Sequence, residues 1–364
     1  MQVEIISSRA AFDALKDEWN AMPQALRSPL ARHEWFAAAL TAFSAKDELA
    51  IYVARQDGKL RAIAPLVVDR AMGSLRLNII AHQTHEPGEF LYADEAALAA
   101  VCNAIMASGR PAVIPRIALD APELRLLTEA PRRGPTMVRP VPMATSRLPL
   151  TTFKALESAM TSSARNKLKR RRKLAEREGK VTAEVIVPDA GNMQRHLGEV
   201  FRLEGAGWKS QAGTSMLEDQ AMRRFYTYYA KEALRLGMLR FYFLRVGDTT
   251  VAARLAVAYD GKLWDLKIGY DERLKNCAPG ILLTHETLRL ACEEGLKGFE
   301  FLGIAEAWQD RWPIESWQHT TLRYYPVSLG GGLSFGVDMY RFGGQRLKAA
   351  FERRDPPKEL QAAS

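Results

Sequence analysis

The stretch Lys262–Gly303 reads KLWDLKIGYDERLKNCAPGILLTHETLRLACEEGLKGFEFLG. Its first ten residues alternate in polarity as a strand does, and "ERLKNCAPG" breaks the pattern as a loop. "ILLTHETLRLACEEG" then carries apolar residues at helical spacing, and "FEFLG" reads as a short buried strand. A strand, loop, helix and strand in this order predict a crossover with two parallel strands flanking the helix. Pro279-Gly280 stands at the helix entry, where proline suits the first turn and glycine permits close approach to the backbone. The amides of Cys277, Ala278, Gly280 and Ile281 are expected to point outward there, at a helix end that favours anions. His285 falls on the apolar face with Ile281, Leu288 and Cys292, so it reads as a packed core histidine.

Outward from this unit, Leu239–Asp271 gives three strands broken at Gly247-Asp248 and Asp260-Gly261. In the first half, "ELAIYVARQDGKLRAIAPLVV" alternates around Asp57-Gly58 and reads as a hairpin. The Pro-rich, weakly patterned stretch Glu129–Leu150 lies between the halves, which places a boundary near Leu150. Helix, hairpin and extended strands recur in the same order on both sides, as in a duplicated α/β unit. A chain of 364 residues suits two domains, here 1–150 and 151–330, followed by a tail, 331–364.

A composition of 47% hydrophobic and 26% charged residues supports sizeable cores. Cys102, Cys277 and Cys292 form neither a disulfide framework nor a metal-ligand spacing. "HQTHEPGE", His82 to Glu89, lacks ligand spacing on a helix, so no metal is expected there and a loop near an acceptor entrance is. The N-terminus has no signal-peptide pattern, and no uncharged apolar run reaches the roughly 18 residues of a membrane span. A cytoplasmic protein is expected, with peripheral contact at an inner membrane as the alternative.

The net charge of +9 is concentrated in "SARNKLKRRRKLAEREGK", Ser163–Lys180, with nine Lys or Arg against two acids. As a helix this segment puts Ala164, Leu168 and Ala175 on one stripe. A helix docked on a domain needs such a stripe and a nucleic-acid arm does not, which makes a nucleic-acid partner the weaker reading. Arg165, Lys169, Arg172 and Lys173 gather on another side, where they are expected to meet an anion.

These segments resemble GNAT-fold acyltransferases, and more narrowly the tandem FemAB-like and CelD-like branch, bacterial ceramide synthase-like members included. The resemblance rests on "SARNKLKRRRKLAEREG", "FRLEGAGWKSQAGT", "VAARLAVAYDGKLWDLKIGYDE", "YDERLKNCAPGILLTHETLRLACEEGLKGFEFLG" and "EAWQDRW", over roughly Ser162 to Trp312. It implies an α/β fold of two tandem GNAT-like domains with mixed, centrally splayed sheets, the first a degenerate copy on the acceptor side. It implies acyl-CoA as co-substrate, with no permanently bound cofactor. The pantetheine arm would lie where the strand ending at Tyr270 splays from that at Phe299. The coenzyme contacts would be Tyr270, Asn276, Cys277, Ala278, Gly280 and Ile281. Pro279-Gly280 departs from the usual Gln/Arg-x-x-Gly-x-Gly/Ala loop, which leaves an acyl-carrier protein as an alternative donor.

Acyl transfer to an amine requires the neutral amine, and an ammonium of pKa near 10 is about 0.1% neutral at pH 7, a handicap of roughly 4 kcal/mol. A carboxylate base relieves it. Glu204 continues the apolar stripe Met193, Leu197, Val200, Phe201, where burial is expected to raise its pKa; pairing with Lys209 is the alternative. Asp265 alternates with Lys267 on one face of a strand whose other face carries Trp264, Leu266, Ile268 and Tyr270. Asp265 is therefore a second base candidate and Lys267 a substrate contact, or the two form a structural pair. Glu300 is a third acid. Trp208 and Lys209, at a Gly-rich turn, are candidates to wall the substrate pocket. Trp308 and Gln309 stand where this branch often has Tyr-Lys, which leaves Tyr324 or Tyr325 as substitute acids; a thiol of pKa about 8.5 also leaves unaided.

The tail "LSFGVDMYRFGGQRLKAAFERR" combines aromatic residues and positive charge, suited to an anionic membrane surface or to packing on its own domain. The expected activity is N-acyl transfer from acyl-CoA to a primary amine, favouring a lipid amine such as a sphingoid base. The alternatives are an exopolysaccharide or cell-wall acyltransferase, a FemAB-type aminoacyl transferase using charged tRNA, and a non-catalytic module binding anionic surfaces.

Overall fold

The computed structural model describes residues 1–43, 48–71, 73–205 and 219–354. The first half contributes β1 (Gln2–Ile6), β2 (Glu48–Leu49), β3 (Ile51–Gln56), β4 (Lys59–Ala64), β5 (Leu66–Ala71), β6 (Ser74–Ile79), β7 (Leu91–Tyr92), β8 (Ala112–Ala118) and β9 (Thr136–Pro149). The second contributes β10 (Val181–Ile186), β11 (Leu239–Val246), β12 (Thr249–Tyr259), β13 (Lys262–Tyr270), β14 (Gly298–Glu300) and β15 (Glu315–Tyr324). The longer helices are α1 (His33–Ala42), α2 (Glu95–Ala107), α3 (Ser162–Glu178), α4 (Met193–Gly205), α5 (Gln220–Arg235), α6 (Pro279–Glu293) and α7 (Leu329–Arg354).

An eleven-stranded mixed sheet, β10-β11-β12-β13-β14-β9-β15-β8-β6-β5-β2, crosses both halves, beside a four-stranded sheet, β1-β3-β4-β7. Its parallel pairs are β13–β14, joined through α6, and β6–β8, joined through α2. The same parallel crossover thus occurs once in each half, which is the structural form of the recurrence in the sequence. Asp57-Gly58 and Asp260-Gly261 both turn with positive φ, as two-residue hairpins require.

The Pro-rich stretch between the halves is more regular than its weak pattern suggests. Thr136–Pro149 is a central strand that pairs with β14 on one edge and β15 on the other. Prolines cannot donate to a ladder, and the register with β15 slips between Gln318–Ala144 and Thr320–Pro140 to absorb them.

Three apolar cores fix the layers. One spans the halves, where Trp35 of α1 meets Phe225 and Tyr229 of α5 edge-on at 4.7 and 4.8 Å. A second lies under α2. The third lies under α3 and α6 on the opposite face of β11–β13. Leu168 and Ala175 of the basic helix are buried in this third core, and Ala164 packs beside them. Helix α7 starts docked: Asp338, 3% exposed, sits 3.0 Å from Arg76 and 3.2 Å from Arg323 and accepts from the Tyr325 hydroxyl. Its other side exposes Leu333 and Tyr340. No helix among the described residues is long and apolar enough to cross a membrane.

Candidate active site

Strands β13 and β14 pair only at Lys262–Gly298, Leu263–Phe299 and Trp264–Glu300, and then part. Strand β13 continues to Tyr270 paired with β12 on its far edge, while β14 stays with β9. Beyond Trp264 the near edge of β13 therefore has no strand partner among the described residues and offers backbone amides and carbonyls to an extended ligand. A cleft of about 380 Å³ opens there, walled by Leu203 and Glu204, by Ile268–Tyr270, by Lys275, Ala278, Gly280, Ile281 and Thr284, and by Glu306 and Trp308.

Within β13 the pairing slips between Leu255–Lys267 and Ala256–Asp265, so Leu266 is an extra residue. This bulge corrects the expected alternation. Trp264 and Leu266 enter the core under α4 and α5, whereas Ile268 and Tyr270 pack toward α6. Asp265 and Lys267 consequently part company. Asp265 Oδ1 lies 3.1 Å from Nε of Arg254, a fully buried guanidinium that also donates to Thr284 Oγ1 at 2.7 Å. Lys267 instead lies over the Tyr226 ring of α5, 5.2 Å from its centre.

Glu204 ends α4 with its side chain buried against the cleft. The helix can come this close because residue 269 is glycine: a Cβ there would fall 2.2 Å from the Glu204 amide nitrogen. Trp208 and Lys209 lie outside the described residues.

At the start of α6, Ala278 takes a left-handed φ of 49°, and Pro279 follows at the first helical position. Tyr270, Ala278, Gly280 and Ile281 line the cleft, but Asn276 and Cys277 do not. Cys277 is buried in the core under α3 and α6, and Arg171 of α3 holds the Asn276 carbonyl. Two of the four expected free amides are also spent internally: Ala278 donates to Lys275 O at 2.9 Å and Ile281 to Ala278 O at 3.0 Å. A Cβ on Gly280 would sit 3.1 Å from the Tyr270 ring, so the glycine makes room for that tyrosine. Burial, reinforced by Glu272 and Glu306, pushes the Tyr270 phenol up.

The basic helix is less free than its sequence suggests. Arg165 donates to carbonyls at the end of the helix Phe153–Ala159, and Arg172 pairs with Glu286 and Glu176. Lys169 and Lys173 stay exposed. His285 packs 5.0 Å from Phe153 and 3.4 Å from Glu157, and burial lowers its pKa, as suits a core histidine.

Trp308 lines the cleft and donates to Glu306 at 2.6 Å. Gln309 is buried and accepts from Ser146 at 2.6 Å. Tyr324 and Tyr325 do not reach the cleft: the first lies in the core under α2, and the second is bound to Asp338. Glu300 is committed to Arg147.

A polar junction from the first half was not singled out residue by residue in the sequence. Glu86 accepts from the Gly303 amide at 2.9 Å, just past the splay, and Arg116 donates to the Gly303 carbonyl. Burial pushes the Glu86 carboxyl up, while Lys267 and Arg116 pull it down. Tyr226 faces Glu86, Glu204 and Asp265, and burial together with these acids raises its phenol far above the usual range. The available signal was "HQTHEPGE", a His- and Glu-bearing loop in the half expected to face the acceptor.

The splayed parallel pair, its cleft and the repeated crossover define two tandem GNAT-like units. Residues 162–310 match the family described as Acetyltransferase (GNAT) domain. The chain thus carries a GNAT acyltransferase domain over these residues and is an enzyme of the acyltransferase class. In fold it is similar to FemX (TM-score 0.57, 11% identity, covering 89% of this chain and 97% of that one). It is also similar to L-PGS from Bacillus licheniformis (TM-score 0.53, 13% identity, 91% and 96% covered). A third fold match is the C-terminal domain of a putative lysylphosphatidylglycerol synthetase from Agrobacterium fabrum (TM-score 0.53, 10% identity, 86% and 92% covered). None of the curated proteins matches the chain.

Proposed function

We propose that the protein is an N-acyltransferase that takes an acyl group from an acyl thioester of coenzyme A and passes it to a primary amine. The observation that carries the reading is the cleft at the splay, with Tyr270, Ala278, Gly280 and Ile281 in one wall and Lys275 at its mouth. A pantetheine arm would add along the free edge of β13, its amides meeting that backbone. Its pyrophosphate would meet the Gly280 amide and Lys275. Arg171 and Arg311, which face each other and have no carboxylate partner among the described residues, would add positive charge beside the loop.

In the reaction the amine nitrogen bonds to the thioester carbonyl carbon, the C–S bond breaks, and the thiolate leaves. The amine's proton passes to a carboxylate. Glu86 is our preferred base, because it stands at the splay with its pKa raised, and Glu204 in the cleft wall is the alternative. Asp265 is better suited to neutralising Arg254.

Two narrower readings each rest on an observation. A lipid amine such as a sphingoid base is favoured by the apolar side chains exposed on and before α7, Val327, Leu329, Leu333 and Tyr340. A FemAB-type aminoacyl donor is favoured by the exposed cations of α3 beside the loop. The test is thioester consumption across acyl-chain lengths and amines, with thermal shift by coenzyme A. Gly280→Trp should drive into Tyr270 and abolish the shift while the protein stays folded. Absence of turnover and of any shift in the unaltered protein would sink the proposal.

A further inference from the structure

A second cavity, of about 550 Å³, lies between the two halves, on the first-half side of the splay. Its walls come from the loop Pro87–Glu89, from β8, from β15, and from the paired ends of β13 and β14 at Trp264 and Glu300. Two kinds of charge line it.

One is cationic. Arg116 lines the cavity, is 4% exposed, and has neither Nε nor Nη1 hydrogen-bonded among the described residues. His319 lines it too, 5% exposed, with Nδ1 unpartnered. Both side chains come from irregular backbone. Arg116 has a left-handed φ of 54° where the β8–β15 register slips, and His319 stands where the β15–β9 register slips. Adjacent bulges of this kind re-aim side chains that a regular ladder would direct elsewhere, and they persist where the fold holds them. The groups that face Arg116 are Glu86, His85 and His319.

The other is anionic. Glu89 and the buried Glu123 line the cavity with Tyr92, and Glu123 also accepts from the Phe90 backbone amide. Glu89 makes no ion pair among the described residues; the charged groups that face it are Glu123 and, at the rim, Arg27. Burial and Glu123 push its carboxyl up to about 7, as for a site that lacks its counter-ion. The other charges have partners: Arg147 pairs with Glu300 and stacks on Trp317, and Lys262 lies 3.6 Å from Asp260 and 4.0 Å from Glu300.

We propose that this cavity binds a small primary amine that also carries an anionic group, its ammonium at Glu89 and Glu123 and its anion at Arg116 and His319. The anion would reach the unpartnered nitrogens of Arg116 and His319, the ammonium would give Glu89 the ion pair it lacks, and the Tyr92 ring beside these acids suits a desolvated ammonium. That this ligand is the acyl acceptor rests on the acyltransferase reading; that it binds does not.

The test is isothermal titration of the full chain, without coenzyme A, using O-phosphoethanolamine and β-alanine. Ethylamine, acetate and inorganic phosphate serve as one-ended controls. The two-ended probes should bind at least about tenfold more tightly than the controls, the better of the two showing whether the anion is phosphate or carboxylate. Glu89→Gln and Arg116→Lys should each weaken that binding about tenfold and leave the thermal shift by coenzyme A unchanged. Glu89 makes no ion pair among the described residues and Gln keeps its shape, so its variant reports even if Arg116→Lys does not fold. Equal binding of the controls, wild-type affinity in Glu89→Gln, or no binding by either two-ended probe overturns the proposal. Probe binding without thioester consumption would instead keep the site and remove the acyltransferase reading.

Discussion

Gly269 of β13 lies so close to Glu204 of α4 that a Cβ on residue 269 would stand 2.2 Å from the Glu204 amide nitrogen and 2.6 Å from its Cα. The obstacle is backbone, which cannot rotate aside. Gly269→Ala must push the end of α4 away from the strand and carry Glu204 out of the cleft wall. Overpacking of this type costs about 1–3 kcal/mol, and a backbone obstacle belongs at the upper end. The expected result is a lowered Tm together with a lost thermal shift by coenzyme A.

Asp265 and Glu86 should fail in different ways. Asp265→Asn leaves the Arg254 guanidinium buried without its counter-charge, a loss of about 3–5 kcal/mol that denaturant unfolding should record. Glu86→Gln should spare stability and lower kcat by about a hundredfold or more, the usual worth of a general base. Glu86 is raised above the ordinary carboxylate range. The kcat of the unaltered enzyme should therefore rise with pH through a pKa above 4.5, and Glu86→Gln should flatten that limb. A Glu86→Gln enzyme with full kcat would transfer the role to Glu204.

What the sequence disclosed and what it hid divide along physical lines. Strand, loop, helix and strand around Pro279-Gly280 were legible because polarity period and turn chemistry are local properties. The burial of Leu168 and Ala175 followed from spacing in the same way. The face carrying Asp265 was not legible, because one inserted residue at Leu266 reverses the alternation and leaves no mark in composition. Strand β9 was masked by its prolines, which a central strand tolerates only where its register slips. Glu86, Arg116 and Arg254 act through partners 30 or more residues away in sequence or on another strand, and no local pattern announces them.

Arg171 is expected to matter for the donor rather than for chemistry. It holds the Asn276 carbonyl and so fixes the loop before α6, and it adds charge beside Arg311. Arg171→Ala should raise the KM for the acyl thioester about tenfold with kcat little changed, and should flatten the salt dependence of that KM. Lys169→Ala, on the exposed side of the same helix, should change KM much less. Equal effects of the two would assign the helix a diffuse electrostatic role.

Glu89 gives the fold a measurable pH signature. Its carboxyl is pushed from 4.5 to about 7 by burial and by Glu123, with Arg27 opposing. The folded state thus binds this proton more tightly than the unfolded chain. The stabilisation is fully present below pH 4.5 and is lost as pH rises toward 7. The shift sets an upper bound of about 3 kcal/mol, reduced by whatever solvent reaches the carboxyl. Glu89→Gln has no such proton to lose, so the variant should be the more stable protein at pH 8 and close to the unaltered one at pH 4.5. Tm measured across that range reads the difference, and added O-phosphoethanolamine should narrow it by giving the Glu89 carboxylate a counter-ion. A gap between the two proteins that does not grow with pH would show that Glu89 titrates normally and that the wall it forms with Glu123 is better solvated than its burial indicates.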